Sequence, residues 1–336
     1  MKKNTNLFIY FLAHYLFLGG GFARIGELSN TDTCLAFILG TLIGVIIVYL
    51  INKVSSDVPF KEYIKKNTLL NIIIKLIFFI YILFNLLILF VILSGFLYSY
   101  FLPFTPSLVS CLPFLLLASF LASKKIKGIY NVAFVLIFFS LFIIILKTLL
   151  LTNEFHYDNL FPILAVKTTS MFKAVIIYAV ISTSPIFILI NEKIEFKSSL
   201  KYYLISSCTL ILVAFTISLI LGEMINVYSY PEYTILRRIR FFKFIENIEN
   251  FICINWFFDL FISLSVFILK IKDTLNIKNN IVPFLISFGI LYLVNTYFSN
   301  NFYNTMILYN VFPYICGGFI IIFILLFSLK KLTSKR

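Results

Sequence analysis

Long apolar runs separated by short polar connections dominate the chain. Ten can be marked, at residues 7–28, 33–52, 69–99, 107–123, 128–151, 172–192, 202–222, 248–270, 281–298 and 307–329. Most hold about 18 to 25 residues, enough to cross a hydrocarbon core about 30 Å thick as a helix rising 1.5 Å per residue. The third is longer and predicts a helix that tilts or projects beyond the bilayer. A membrane barrel would need short segments of alternating polarity instead. The pattern therefore predicts an all-α integral membrane protein of about ten transmembrane helices in a single domain.

Two of the runs are interrupted. Span one reads FLAHYLFLGGGFARIGE, with Gly19, Gly20 and Gly21 in its middle, and span six reads AVIIYAVISTSPIFILINEK, where Ser182, Thr183 and Ser184 lead directly into Pro185. Proline lacks an amide donor and clashes with the preceding turn, so span six should kink or unwind there. The two spans open the two halves of the chain, about 7–151 and about 172–329, joined by an interfacial connector at about 152–171. Five spans per half make the second half enter the membrane upside down, as two inverted five-helix repeats. Glycine and proline are common in membrane helices, so one break means little. Two breaks at matching positions point to a transporter-like ligand site, because unwound backbone finds no partner in lipid. Gly19, Gly20, Gly21, Ser182, Thr183, Ser184 and Pro185 are its candidate lining.

Polar residues inside other spans extend the list. Asp259 lies within span eight, where an unpaired carboxylate costs roughly 3 kcal/mol on insertion scales. It should face the interior, binding a cation or a proton, or else bond to a neighbour such as Ser263. Tyr81 and Asn85, four residues apart on one face of span three, either line a cavity or bridge helices. His14 reads as packed or hydrogen-bonded more readily than as a proton relay. Lys147, near the end of span five, reads as a snorkelling side chain without a function. Arg24 and Glu27 at the outer end of span one are gate candidates, with interfacial anchoring as the plainer role.

Composition confirms the class and narrows the chemistry. Hydrophobic residues make up 61% of the 336 and charged residues 12%, against about a quarter charged in soluble domains. The formal charge of +14 does not signal nucleic acid, because the cations are scattered through short loops. Of the 28 Lys and Arg residues, twenty fall on one side of the alternating spans and seven on the other, with Arg24 inside the end of span one. The excess places both termini in the cytoplasm. Residues 2–23 imitate a secretory signal, but cleavage would leave an odd number of spans, so they read as a retained first helix. Five dispersed cysteines read as small core residues. No H-E-x-x-H, Walker A loop, G-x-S-x-G elbow or dinucleotide fingerprint is present, so the expectation is no enzyme, no metal and no cofactor.

Two longer connections lie on the less basic side. TNEFHYDNLFPILAVKTTS joins spans five and six, and EMINVYSYPEYTILRRIRFFKFIENIEN joins seven and eight. Both mix aromatic and charged residues as interfacial helices or a lid would. The second reads best as a solvated loop helix paired internally through Glu232, Glu246 and Glu249.

The stretch YPEYTILRRIRFFKFIENIENFICINWFFDLFISLS resembles the segment running into helix eight of the B subunits of spore germinant receptors, the GerAB-like family. NTDTCLAFILGTLIG and DNLFPILA resemble that family as well. The resemblance implies a LeuT-like fold shared with the amino acid–polyamine–organocation transporters, with a site between helices one, three, six and eight. It also implies a role: a permease-like subunit in the spore inner membrane that senses an amino acid or similar nutrient beside A- and C-type subunits. Carried over, the site falls on Gly19 to Gly21 and Ser182 to Pro185, and Trp256 matches the helix-eight tryptophan in a packing role. Many relatives have a Gly-Glu pair after the helix-six proline, where this chain has Ile186, Phe187 and Ile188. The alternative from a different class is an amino acid or cation-coupled permease acting alone.

Overall fold

The computed structural model describes residues 5–17, 20–55, 69–189, 195–239, 248–298 and 302–334. Helix occupies each of the ten stretches marked in the sequence, and no strand occurs among the described residues. Span one is α1 (Phe8–His14), a 3-10 turn (Tyr15–Phe17) and α2 (Gly20–Ser29). Spans two to five are α3 (Thr33–Ser55), α4 (Leu69–Tyr100), α5 (Ser107–Ser123) and α6 (Lys125–Leu150). Span six is α7 (Thr168–Thr183) followed by 3-10 helix Ser184–Leu189, and span seven is α8 (Phe196–Leu221). After two short helices, α9 (Pro231–Leu236) and α10 (Ile248–Ile252), come α11 (Ile254–Leu275), α12 (Ile281–Tyr297) and α13 (Phe302–Ser334).

By length and composition, seven segments among the described residues can cross a membrane, and Thr5–Phe17, Ser107–Ser123 and Ile281–Tyr297 are shorter apolar helices. The division differs from the sequence reading for a local reason. A 3-10 turn at Asn30–Asp32 joins α2 to α3, so Gly20–Lys53 counts as one segment although it holds half of span one and all of span two. The chain is an all-helical, multi-pass membrane protein.

The interrupted spans sit in the middle. Every residue of α1 and of 3-10 helix Ser184–Leu189 is buried. Around them α1 packs on α8 and α11, α2 packs on α7, and α3 packs on both α7 and α8. The surrounding helices turn apolar faces outward: Phe134, Phe138, Phe142, Ile145 and Leu149 recur on α6 at three- and four-residue spacing, all exposed. Because lipid-facing and core-facing positions are equally apolar, these helices carry no amphipathic stripe, and buried polar residues mark the inward faces instead.

The connector over 152–167 is mostly exposed and is tied down at named points. Leu164 N–H donates to Asp32 Oδ1 (2.9 Å), and Asn159 Nδ2 donates to the Leu219 carbonyl (2.9 Å). Gly222 ends α8 with φ +53°, a conformation side chains rarely adopt, close against Asn159. The second connector corrects the sequence reading. Its helix α9 is not a solvated loop helix, because Pro231, Glu232, Tyr233, Ile235 and Leu236 are all buried. Glu246 lies outside the described residues.

Candidate functional site

The break in span one needs glycine for close approach. A Cβ at Gly21 would stand 2.5 Å from the Leu16 carbonyl oxygen, and one at Gly20 would stand 2.6 Å from the Tyr309 ring. Gly19 lies outside the described residues. Gly20 and Gly21 border an apolar cavity of about 10 Å³ with Leu16, Arg24, Ile181 and Tyr309. That is barely the volume of one water.

The break in span six begins where the sequence places it. α7 stops at Thr183, and Ser184 and Pro185 open the 3-10 helix. Helix α4 then ties both breaks together through a buried hydrogen-bond chain. Tyr15 Oη donates to Asn85 Oδ1 (2.7 Å), Asn85 Nδ2 donates to the Tyr81 carbonyl (2.8 Å), and Tyr81 Oη donates to the Ser184 carbonyl (2.5 Å). Tyr81 and Asn85 thus bridge helices in this arrangement rather than line an open cavity. Ser182 Oγ pairs with Tyr203 Oη (3.1 Å), and Thr183 Oγ1 donates to the Ala179 carbonyl in its own helix (2.6 Å).

Asp259 belongs to a different place. With His14, Lys147, Thr209, Asn255 and Trp256 it borders a polar cavity of about 30 Å³ between α1, α6, α8 and α11. His14 Nδ1 stands 3.6 Å from Asp259 Oδ2, both side chains about 95% buried. His14 Nε2 lies 3.0 Å from the Ser206 carbonyl and 2.8 Å from Thr209 Oγ1. Two expectations are corrected here. Ser263 is not the partner of Asp259; His14 is. Lys147 does not snorkel: it is buried, in the same cavity, in the field of Glu232 and Asp259. Inside the protein it meets the charge of Glu232, buried on α9, as well as that of Asp259. Lys270, counted with the loops, is likewise buried inside α11.

Arg24 and Glu27, the gate candidates, pair with each other one turn apart on α2 (2.6 Å). The connector end is capped by an aromatic cluster in which Phe96 meets Tyr230, Tyr233 and Trp256 at centroid distances of 5.4 to 5.5 Å. Burial, with the Glu249 charge second, pushes the Tyr233 hydroxyl up to about 12, so it stays a neutral donor to Asn250 Oδ1 (2.7 Å). Of the five free cysteines, Cys111, Cys253 and Cys316 are buried as expected, while Cys208 is exposed.

A multi-pass helical protein whose first and sixth spans break in the interior, with buried ionisable residues beside the first break, is built like a permease. The sequence model of one such group, described as spore germination protein, matches residues 8–303, and the chain belongs to that family. No curated protein matches it.

Proposed function

We propose that the chain is the permease-like subunit of a spore germinant receptor, sensing an amino acid or similar small nutrient in the spore inner membrane, with A- and C-type subunits as partners. The observation that carries this reading is the chain Tyr15–Asn85–Tyr81–Ser184, which fills the space between the two breaks with internal hydrogen bonds. Small-molecule sites occupy roughly 300–1,000 Å³. The cavities of about 10 and 30 Å³ beside the breaks are far smaller, which this reading takes as the closed arrangement. A germinant's ammonium would take the place of Tyr81 at the freed carbonyl, and its carboxylate would meet the first amides of α2, where the helix dipole favours an anion. Binding then shifts the population from closed to open, to the extent that the ligand prefers the open form.

The test is germination of spores lacking only this gene across amino acids, sugars and salts, with the wild-type gene or Gly20→Leu restored. Failure with one compound class, rescued by wild type and not by a folded Gly20→Leu protein, supports the reading. Full rescue by Gly20→Leu removes the site from the first break. Companion A- and C-type genes beside this one, or co-purification with their products, tests the partners.

The buried His14–Asp259 pair favours a second reading, a cation-coupled permease acting alone, since ionisable groups inside spans commonly mark ion pathways. It requires saturable amino acid uptake by vesicles holding this chain only, impaired by Asp259→Asn.

A further inference from the structure

The cluster around Asp259 has a property that the receptor reading does not assign. The Ser206 carbonyl can only accept, and Thr209 Oγ1 donates its hydrogen to that carbonyl (2.7 Å), so a hydrogen on His14 Nε2 satisfies both of its contacts and leaves Nδ1 to face Asp259. An unprotonated Nδ1 would point a lone pair at a buried carboxylate 3.6 Å away, a repulsive contact. One proton turns it into an attraction. Asp259 Oδ1 and Asn255 Oδ1 have no hydrogen-bond partner among the described residues, and their cavity of about 30 Å³ has room for water beside them.

We infer that His14 and Asp259 form a proton-binding site between α1 and α11, and that Lys147 on α6 takes over Asp259 when the proton leaves. Uptake forms the N–H bond at His14 Nδ1 and breaks one O–H bond of a hydronium ion in the cavity, which departs as water; the cluster gains one positive charge. The charged and titratable groups around the site are Tyr10 and His14 from α1, Lys147 from α6 and Asp259 from α11, with Glu232 of α9 acting on Lys147, while among the described residues α8 contributes the hydrogen-bonding groups of Ser206 and Thr209. Tyr10 is engaged with Ser140 (2.7 Å), and Lys147 is the basic side chain other than His14 that borders the cavity with Asp259. With the proton bound, α1 is held to α11. Without it, Asp259 pairs with α6, and α1 is released.

The chain's single tryptophan, Trp256, borders the same cavity and reports on it. Purified full-length protein in lipid nanodiscs, scanned from about pH 4 to about pH 9 without germinant, should show a one-proton transition in Trp256 emission. His14→Gln and Asp259→Asn should each abolish it. His156→Gln, which alters the other histidine on an exposed connector, should leave it in place. Lys147→Met, which removes the group that takes over Asp259, should change the pH at which the transition occurs. A folded wild type with no transition, or a transition unchanged in both His14→Gln and Asp259→Asn, overturns the inference. Where neither variant gives folded protein, nitrogen-15 labelling of the wild-type histidines decides: a His14 Nδ1 that stays unprotonated across the scan overturns it, and one that gains a proton upholds it. Because germinant is absent throughout, the outcome is separate from that of the receptor reading.

Discussion

Tyr81→Phe removes one hydroxyl from the chain that joins the two breaks and changes little else. The ring keeps its contacts with Phe319 (4.8 Å between centroids) and Phe323 (5.8 Å), so the packing loss is small. What disappears is a fully buried donor to the Ser184 carbonyl. A made hydrogen bond contributes about 0.5–1.5 kcal/mol net, and a buried acceptor left unpaired costs about 1–3 kcal/mol. If germinant binding displaces the closed arrangement, that cost falls on the closed state alone, because the open state has already given up the bond. Each 1.4 kcal/mol is a factor of ten in an equilibrium constant. The apparent affinity rises with the fraction of binding-competent protein, up to the point where that fraction nears one. The half-maximal germinant concentration should therefore fall at least about fivefold, and at most about 140-fold, with some germination in the absence of germinant. The assay is the loss of spore optical density against germinant concentration, with receptor abundance checked by immunoblot. An unchanged curve at wild-type abundance would refute the reasoning. A shift to higher concentration would also refute it, and would mean that Tyr81 binds the germinant instead.

Gly21→Ala sets a Cβ 2.5 Å from a backbone oxygen, which cannot swing away, whereas Gly20→Ala meets the side-chain ring of Tyr309. Thermal unfolding in detergent should rank Gly21→Ala below Gly20→Ala, and the reverse order would show that the break is built differently. Gly44→Ala drives a Cβ into Tyr203 Oη and should cost about 1–3 kcal/mol as overpacking. Adding Tyr203→Phe should recover part of that loss, and full additivity of the two changes would remove the contact from consideration. Finally, His14→Gln and Tyr81→Phe should be non-additive in germinant sensitivity by at least about 0.5 kcal/mol, and strict additivity would separate the two clusters.

The ten spans and both breaks are legible in the sequence because each is local: run length marks a span, and a glycine run or a hydroxyl-proline run marks an interruption. Partner choice is not local. His14 and Asp259 are separated by most of the chain, and neither α1 nor α11 carries a sequence mark of its rotation toward the other. Lys147 shows the cost of reading position alone. It lies one turn from the end of α6, where a lysine in lipid would reach for water, and only the structure shows it buried beside Asp259 in an internal cavity. The burial of α9 escaped for the complementary reason: its charges suggest solvent, while Tyr230 and Tyr233 hold it against Phe96 and Trp256. A usable signal was the spacing of His14 from the glycines, one turn before a break and therefore beside backbone that can move.

The two clusters meet on that turn. His14 ends α1 and Tyr15 opens the 3-10 turn, so the residue that faces Asp259 and the residue that bonds Asn85 are covalent neighbours. A peptide unit is rigid, and a shift of α1 large enough to separate His14 from Asp259 also carries Tyr15 away from Asn85. Interiors packed at crystal-like density repack between discrete arrangements more readily than they stretch, so the two contacts break together. The proton site and the closed breaks are then two biases on one element, which is the physical requirement for coupling between sites. That dependence is what the non-additivity of His14→Gln and Tyr81→Phe measures. It also accounts for the contrast between the clusters. The Tyr15–Asn85–Tyr81–Ser184 chain is bonded at each link and sets a resting position, whereas Asp259 keeps an oxygen without a hydrogen-bond partner among the described residues and shares its cavity with Lys147, as a group that exchanges partners would.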